Sequence, residues 1–520
     1  MSQNQTGNAA PEKNGKHSID VPITVISVVA VFVFVAFMAI KPDQTIAVVD
    51  TIFKYVTSVV GVPVLWFVFL GLILCGFFAF SKYGEIKLGE GKPEYSTFSY
   101  ISMMICACLA STAVFYSFIE WSYYYVDPAF GMESYSAEAA EFALPYAFFH
   151  WGLSVQVIFV LTALGMAYAV YVRKVPVLRV SAVCESMMGN FKYRKAIGKV
   201  IDVITIFSIV GGLGVSLGLG VPLISAGICQ IFGLQESFAM NAIIVVFIAG
   251  IFSLSSFVGI EKGMRRLSDF TIYGAIALIA FIFIMGPTGF IVKEFTNSMG
   301  VMIQNYVKMS LFTDPVANGG FPEINTIFLF TLALNYAALM GVFITKISKG
   351  RKIKEVVITC LVGISCGTWI MFGINSGFTM NAELNNGFKL SQAENGQSAI
   401  FELLDTLPLG LIVTIFFTLI SIGFLSTSLD SAAFSLSAVA SKSLDKDGNT
   451  NPMFRLFWCL ILAAVPLSIM FSNAPFSALK TICIVLSVPF LLVIIGMNIG
   501  LFRWLREDTK KVEDQKSAAS

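Results

Sequence analysis

Thr427 and Ser428 are adjacent hydroxyls in a long apolar run, with Asp430 two residues further on. Hydroxyl and carbonyl oxygens are what a hard cation such as sodium requires, and a broken helix frees backbone carbonyls to join them. The competing use of such residues is a hydrogen bond to the carbonyl one turn back in their own helix. Glu120, Asp202 and Asp430 are ionisable groups inside apolar stretches; for Glu120 and Asp430 function is the default reading and capping of a broken helix the alternative. Trp151, beside His150, can present its ring to a bound cation, whereas Trp121, Tyr123, Tyr124 and Tyr125 suit an interfacial aromatic belt. The sequence has no P-loop, GxGxxG, HExxH or metal-spaced Cys/His cluster, and its histidines are His17 and His150. Those absences argue against an ATPase or redox enzyme. Without a nucleotide site, uphill transport has to draw on an ion gradient.

The elements that carry these residues are membrane helices. Of 520 residues, 56% are apolar and 13% charged, against ~25% charged in a soluble domain. The mean hydropathy is +0.80. Apolar stretches at about 22–40, 61–81, 98–119, 147–172, 201–229, 238–258, 271–291, 324–345, 356–379, 408–440, 454–472 and 480–503 give twelve spans, each near the ~20 residues a spanning helix needs. The first 20 residues are polar and lack the apolar core of a cleaved signal peptide. The nine cysteines lie mostly within apolar runs and read as small membrane hydrophobes. A net charge of +2 points to no nucleic-acid partner.

Loop charges set an orientation. Arg173, Lys174, Arg179, Lys192, Arg194, Lys195 and Lys199 follow span four, Lys262, Arg265 and Arg266 follow span six, and Lys346, Lys349, Arg351, Lys352 and Lys354 follow span eight. The loop before span four carries Asp127, Glu133, Glu138 and Glu141, and Glu383, Glu394, Glu402 and Asp405 precede span ten. Basic loops stay in the cytoplasm, so both termini are expected there and the chain is expected in the plasma membrane. Small or polar interruptions at Ala110-Ser111-Thr112-Ala113 and Asn335-Tyr336-Ala337-Ala338 lie five spans apart, the spacing of an inverted five-helix repeat. Close helix packing explains small residues equally well. The expected organisation is a tail (1–21), two helices (22–97), a first repeat (98–291), an amphipathic interfacial segment (292–323), a second repeat (324–503) and a tail (504–520).

Several segments together resemble the betaine/carnitine/choline transporter family. They are Phe118-Ile119-Glu120 followed by tyrosines, Phe149-His150-Trp151-Gly152, Ser216-Leu217-Gly218-Leu219-Gly220, Glu261-Lys262-Gly263, Thr313-Asp314-Pro315 leading to Gly319-Gly320-Phe321-Pro322, and Ile347-Ser348-Lys349-Gly350-Arg351. The resemblance implies an all-α membrane protein of twelve helices with a leucine-transporter-like inverted repeat (spans 3–7 and 8–12), alternating access and a homotrimer. It implies a substrate site between spans three, four and eight, formed by Leu109, Ala110, Ser111, Thr112, Tyr123, Trp151, Gln156, Phe330, Leu332, Ala333, Asn335, Tyr336 and Met340. It implies a sodium site from the hydroxyls of Thr427 and Ser428 with carbonyls of Cys106, Leu109 and Phe424. Thr271 stands where the sodium-independent antiporters have an arginine, and Ile209 and Leu213 stand where a second ion site has hydroxyls.

The family's tryptophan box in span eight is replaced by Asn325, Phe330, Leu332 and Ala333, and Gln156 replaces a further cage aromatic in span four. Ring faces hold trimethylammonium, so the expected substrate is a smaller zwitterion, glycine, moved by sodium-coupled symport across the bilayer without further cofactor. The alternative keeps a quaternary ammonium substrate (glycine betaine, carnitine or choline), as symporter or antiporter, with Trp151, Tyr123, Tyr336 and Phe330 as a reduced cage. A channel needs a continuous polar stripe, and the polar residues here are isolated.

Overall fold

A hydrocarbon solvent leaves the backbone no partner outside its own segment, so an apolar run of this length becomes helix. The computed structural model describes residues 19–175, 178–258, 263, 265–443, 449–471 and 476–519. Among them the regular structure is helical, with two isolated bridges, Ile19 to Ser441 and Lys87 to Lys352. One helix follows each apolar run: α1 Val21–Ile40, α2 Pro42–Phe80, α3 Thr97–Val126, α4 Ala137–Tyr171, α5 Arg194–Phe232, α6 Phe238–Val258, α7 Arg265–Met285, α8 Pro322–Ile347, α9 Ile353–Asn386, α10 Gly410–Val439, α11 Pro452–Phe471 and α12 Phe476–Ala519. Counting the bent α3 once, ten are long and apolar enough to cross a membrane among the described residues, and α1 and α11 contribute shorter apolar stretches, Val21–Val33 and Pro452–Val465. The amphipathic segment is a separate helix, Thr288–Ser310, packed on α4 and α9. Glu261 and Lys262 lie outside the described residues.

The packing has internal symmetry. α3 packs on α5, α7, α9 and α10, and α8 packs on α10, α12, α4 and α5. Exchanging α3 with α8, α4 with α9, and so on through α7 with α12 turns these partners of α3 into those of α8, while the α3–α4 contact has no such counterpart among the described residues. The pairs α5–α6 and α10–α11, α5–α12 and α10–α7, and α4–α12 and α9–α7 correspond in the same way.

Several helices depart locally from α-helical geometry. α3 bends by 66° between Thr97–Cys108 and Thr112–Val126, where the small-residue interruption was expected. α4 carries a π-helical turn, His150–Ser154, with Gly152 at non-helical angles. Trp369 of α9 fills the kink: a Cβ on Gly152 would lie 2.5 Å from its Nε1, and that N–H donates to the Phe148 carbonyl at 2.9 Å. The expected break in α8 at 335–338 is absent. The helix runs uninterrupted over Phe328–Ile347, and its irregular turn lies earlier, at Pro322–Ile327. Asn335 Nδ2 donates to the Thr331 carbonyl one turn back at 3.1 Å, and the fully buried Ala337 and Ala338 are strong helix formers that let neighbouring helices approach.

At the end with basic loops, the stretch after α2 is strapped to the turn before α9. Leu88 N–H donates to the Arg351 carbonyl at 2.8 Å, Gly350 N–H to Leu88 at 2.7 Å and Ile353 N–H to Ile86 at 3.0 Å. Glu85 pairs with Lys352 at 2.7 Å and with Lys354, and hydrogen bonds from the two ammonium groups hold its carboxyl down at about 2.

Candidate functional site

Three helices each contribute one face to a central cavity. α3 supplies Cys108 and Thr112, spaced i, i+4 across its bend. α4 supplies Trp151, Val155 and Phe159, spaced i, i+4, i+8. α8 supplies Leu329, Leu332, Ala333 and Tyr336, spaced i, i+3, i+4, i+7; Ser216 of α5 completes the wall. These are the spacings at which helical side chains share a face. The free space between them is about 40 Å³, below the ~300–1,000 Å³ of a small-molecule site, so the helix faces stand close together around it. The lining is mainly apolar and aromatic. Its polar groups form a chain: Thr112 Oγ1 bonds Ser216 Oγ at 2.9 Å, Ser216 Oγ bonds the Tyr336 hydroxyl, and Tyr336 donates to the Gly212 carbonyl at 3.0 Å. The Tyr336 ring lies against α5 because Gly212 is glycine; a Cβ there would approach the ring to 3.0 Å.

The Trp151 ring is fixed from behind. Its Nε1 donates to Glu120 Oε2, the Tyr124 hydroxyl donates to Glu120 Oε1, and His150 connects Tyr124, at 2.8 Å, with Thr326 of α8, at 2.9 Å. Glu120 and His150 are 2% and 0% exposed, so this network satisfies groups that would be costly unpaired. On the side of the acidic loops it opens into a vestibule of about 370 Å³, lined by Tyr116, Glu120, Tyr123, Tyr124, Asp127, Asn325 and others. Leu329 belongs to both linings. The rings of Tyr123, Tyr116 and Trp151 follow one another at 6.3 and 6.0 Å between centroids, leading from vestibule to cavity.

A second constellation lies where α10 crosses α3 just before its bend. Ser428 Oγ donates to the Cys106 carbonyl at 3.1 Å. Thr427 Oγ1 donates to the carbonyls of Phe424 and Gly423, each at 3.0 Å. Thr271 of α7 closes the third side, since a Cβ on Gly423 would sit 2.4 Å from its Oγ1, and it bonds its own Leu267 carbonyl at 2.8 Å. Neutral oxygens from two hydroxyls and three carbonyls suit a monovalent hard cation. Among the described residues no group of three or more His, Cys, Asp or Glu side chains could hold another kind of metal. Ile209 and Leu213 are buried apolar residues and offer no side-chain oxygen.

Of the residues expected from sequence, Thr112, Trp151, Leu332, Ala333 and Tyr336 line the cavity and Tyr123 the vestibule. Phe330 is turned away, packed on Phe149 and His150. Gln156 is buried outside the lining, its amide against Cys108 Sγ at 3.7 Å. Asn335 and Met340 are fully buried and are not part of the wall. The side chains of Leu109, Ala110 and Ser111 lie outside the described ones. Ser216, Cys108, Val155, Phe159 and Leu329 are the additions. Ser216 opens the small-residue run Ser216-Leu217-Gly218-Leu219-Gly220, and the other four follow from helical period once one lining residue per helix is known.

A model of the betaine/carnitine/choline family transporters matches residues 22–510. The chain is 36% identical over 503 residues to a carnitine transporter of Acinetobacter baumannii, covering 96% of this chain and 91% of that one. It is 35% identical over 442 residues to the uncharacterized transporter YeaV of Escherichia coli, covering 84% and 91%. Among solved structures, a Na+-coupled sialic acid symporter in a substrate-bound outward-open state aligns with 11% identity and a TM-score of 0.45, covering 87% of this chain and 86% of that one.

Proposed function

The chain belongs to the betaine/carnitine/choline transporter family, and from that membership we propose that it carries a methylated ammonium zwitterion across the membrane by sodium-coupled alternating access. The observation that carries the substrate reading is the composition of the cavity wall. Trp151, Phe159 and Tyr336 stand among Cys108, Val155, Leu329, Leu332 and Ala333, and among the described side chains the hydroxyls of the wall besides Tyr336 are those of Thr112 and Ser216. A primary ammonium entering this space gives up water for too few acceptors, and each buried donor left unmet costs ~1–3 kcal/mol. A trimethylammonium has no N–H to satisfy. Its methyls gain ~0.8 kcal/mol apiece on burial, and each ring it meets adds ~0.5–2 kcal/mol. Asn335, expected at the site from the sequence, is outside the wall.

Competition against a labelled methylammonium substrate in proteoliposomes tests this. Affinity should rise along glycine, sarcosine, dimethylglycine and glycine betaine. The reverse order would restore glycine as the substrate.

Sodium is the proposed co-substrate, held by Thr427 and Ser428 with the carbonyls of Cys106, Leu109 and Phe424. The family makes the protein a multi-pass membrane transporter and not an enzyme. Its orientation is proposed from the loop charges, with both termini and the loops 173–199 and 346–355 in the cytoplasm. A Lys195→Cys chain in intact cells should resist an impermeant maleimide and become labelled after permeabilisation. Labelling from outside would invert or break the twelve-helix topology.

A further inference from the structure

The vestibule meets the cavity through Leu329, so the outer side is separated from it by little, and the opposite end has to be held shut by something else. One buried guanidinium joins four stretches of chain there. Arg179, in the link between α4 and α5 and 8% exposed, donates through Nε to the Ser441 carbonyl just past α10 at 2.7 Å. Its Nη1 reaches Asp202 Oδ2 on α5 at 3.2 Å, and Nη1 and Nη2 reach Asp20 Oδ2, ahead of α1, at 3.3 and 3.4 Å. The segment before α1 is docked on the same spot by its backbone: Asp20 N–H donates to the Ala440 carbonyl at 2.8 Å, and Ile19 bridges Ser441. The two helices tied together are the ones that carry Ser216 (α5) and Thr427 and Ser428 (α10), and they pack against each other.

We propose that Arg179 is a positioning residue for transport: it clamps the inner ends of α5 and α10 and the segment ahead of α1, keeping the cavity closed toward the cytoplasm, and its release accompanies opening to that side. The proposal rests on the alternating-access reading and on the loop-charge orientation. A hub of this kind is suited to two-state behaviour. Complete, it compensates two carboxylates; with the cation gone, Asp202, 2% exposed, is left as an uncompensated buried charge beside Asp20, and the closed arrangement loses its advantage.

Cys108, in the cavity wall, reports access to it. An impermeant maleimide is applied to the full-length protein in vesicles of each orientation, and alkylation of Cys108 is read by mass spectrometry of its peptide. In Arg179→Ala the rate from the cytoplasmic face should rise about tenfold, within the usual span of conformational coupling, and the rate from the outer face should fall, because one population grows at the other's expense. Asp20→Asn removes one arm and leaves the buried Arg179–Asp202 pair, so it tests the same idea in a chain that keeps its fold. It should shift both rates in the same directions by a smaller factor. Unchanged rates in both variants would overturn the proposal, and so would acceleration from both faces together, the sign of a loosened fold. Protection of Cys108 by glycine betaine in the unmutated chain reports on the cavity itself, so failure of the substrate reading shows separately.

Discussion

Trp151→Ala should raise the half-saturating concentration of a trimethylammonium substrate roughly 30- to 100-fold. Loss of a desolvated ring and of the apolar contact around it removes ~2–3 kcal/mol, at ~1.4 kcal/mol per tenfold. Trp151→Phe keeps a ring and loses the N–H that Glu120 accepts, so it should fall between the parent and the alanine variant. Phe330→Leu is the control. Phe330 belongs to the original cage reading by sequence position, yet it packs on Phe149 and His150 away from the cavity, so KM should stay near that of the parent. Uptake kinetics in proteoliposomes, with thermal melts to confirm folding, give the answer. An unchanged KM in a Trp151→Ala chain that melts like the parent would remove the ring from the binding site.

Ser428→Ala should raise the sodium concentration for half-maximal uptake by roughly ten- to a hundredfold, the scale set by losing one of few oxygens from a desolvated ion at ~1.4–2.8 kcal/mol. Thr427→Ala should act in the same direction. An ion and a substrate that favour the same conformation raise each other's affinity by equal factors. The apparent substrate affinity should therefore fall at low sodium in both variants and recover at saturating sodium, which a general defect of folding does not do. Uptake that proceeds equally in potassium or choline would reject the ion site, and Glu120 or Asp430 would then be the groups to test for proton coupling.

Apolar run length made the helices legible, because a span has to satisfy its backbone internally: each of the twelve runs lies on a helix, and ten of these are long and apolar enough to span among the described residues. The small-residue interruptions were legible only in part. Ala110-Ser111-Thr112-Ala113 coincides with a real bend, whereas Asn335-Tyr336-Ala337-Ala338 sits in continuous helix, since a side chain that bonds one turn back and two alanines favour helix as readily as they allow a break. In the wall, position in a resembling sequence selected Phe330 and Gln156, while helical period selects their neighbours Leu329 and Val155. A shift of one residue is a rotation of ~100°, enough to exchange cavity for core. Ser216 was out of reach because it comes from α5, a helix whose place beside α8 depends on long-range packing. Glu120 drew notice as a charge in an apolar run, but its bond to the Trp151 N–H joins residues 31 apart and depends on the kinked turn of α4.

The hydroxyl chain that ends at Gly212 has a direction. Tyr336 has a single proton and gives it to a carbonyl, which can only accept. Ser216 must then give its proton to Tyr336, and Thr112 its own to Ser216. Each link is set by the one beyond it, so all three dipoles align, and what they leave toward the cavity is lone pairs. Such a row attracts a partner that brings a proton, whether water or a hydroxyl on the substrate, and repels a carboxylate unless all three hydroxyls turn over together. The polarity of that face of the cavity is thereby decided from a peptide carbonyl on α5.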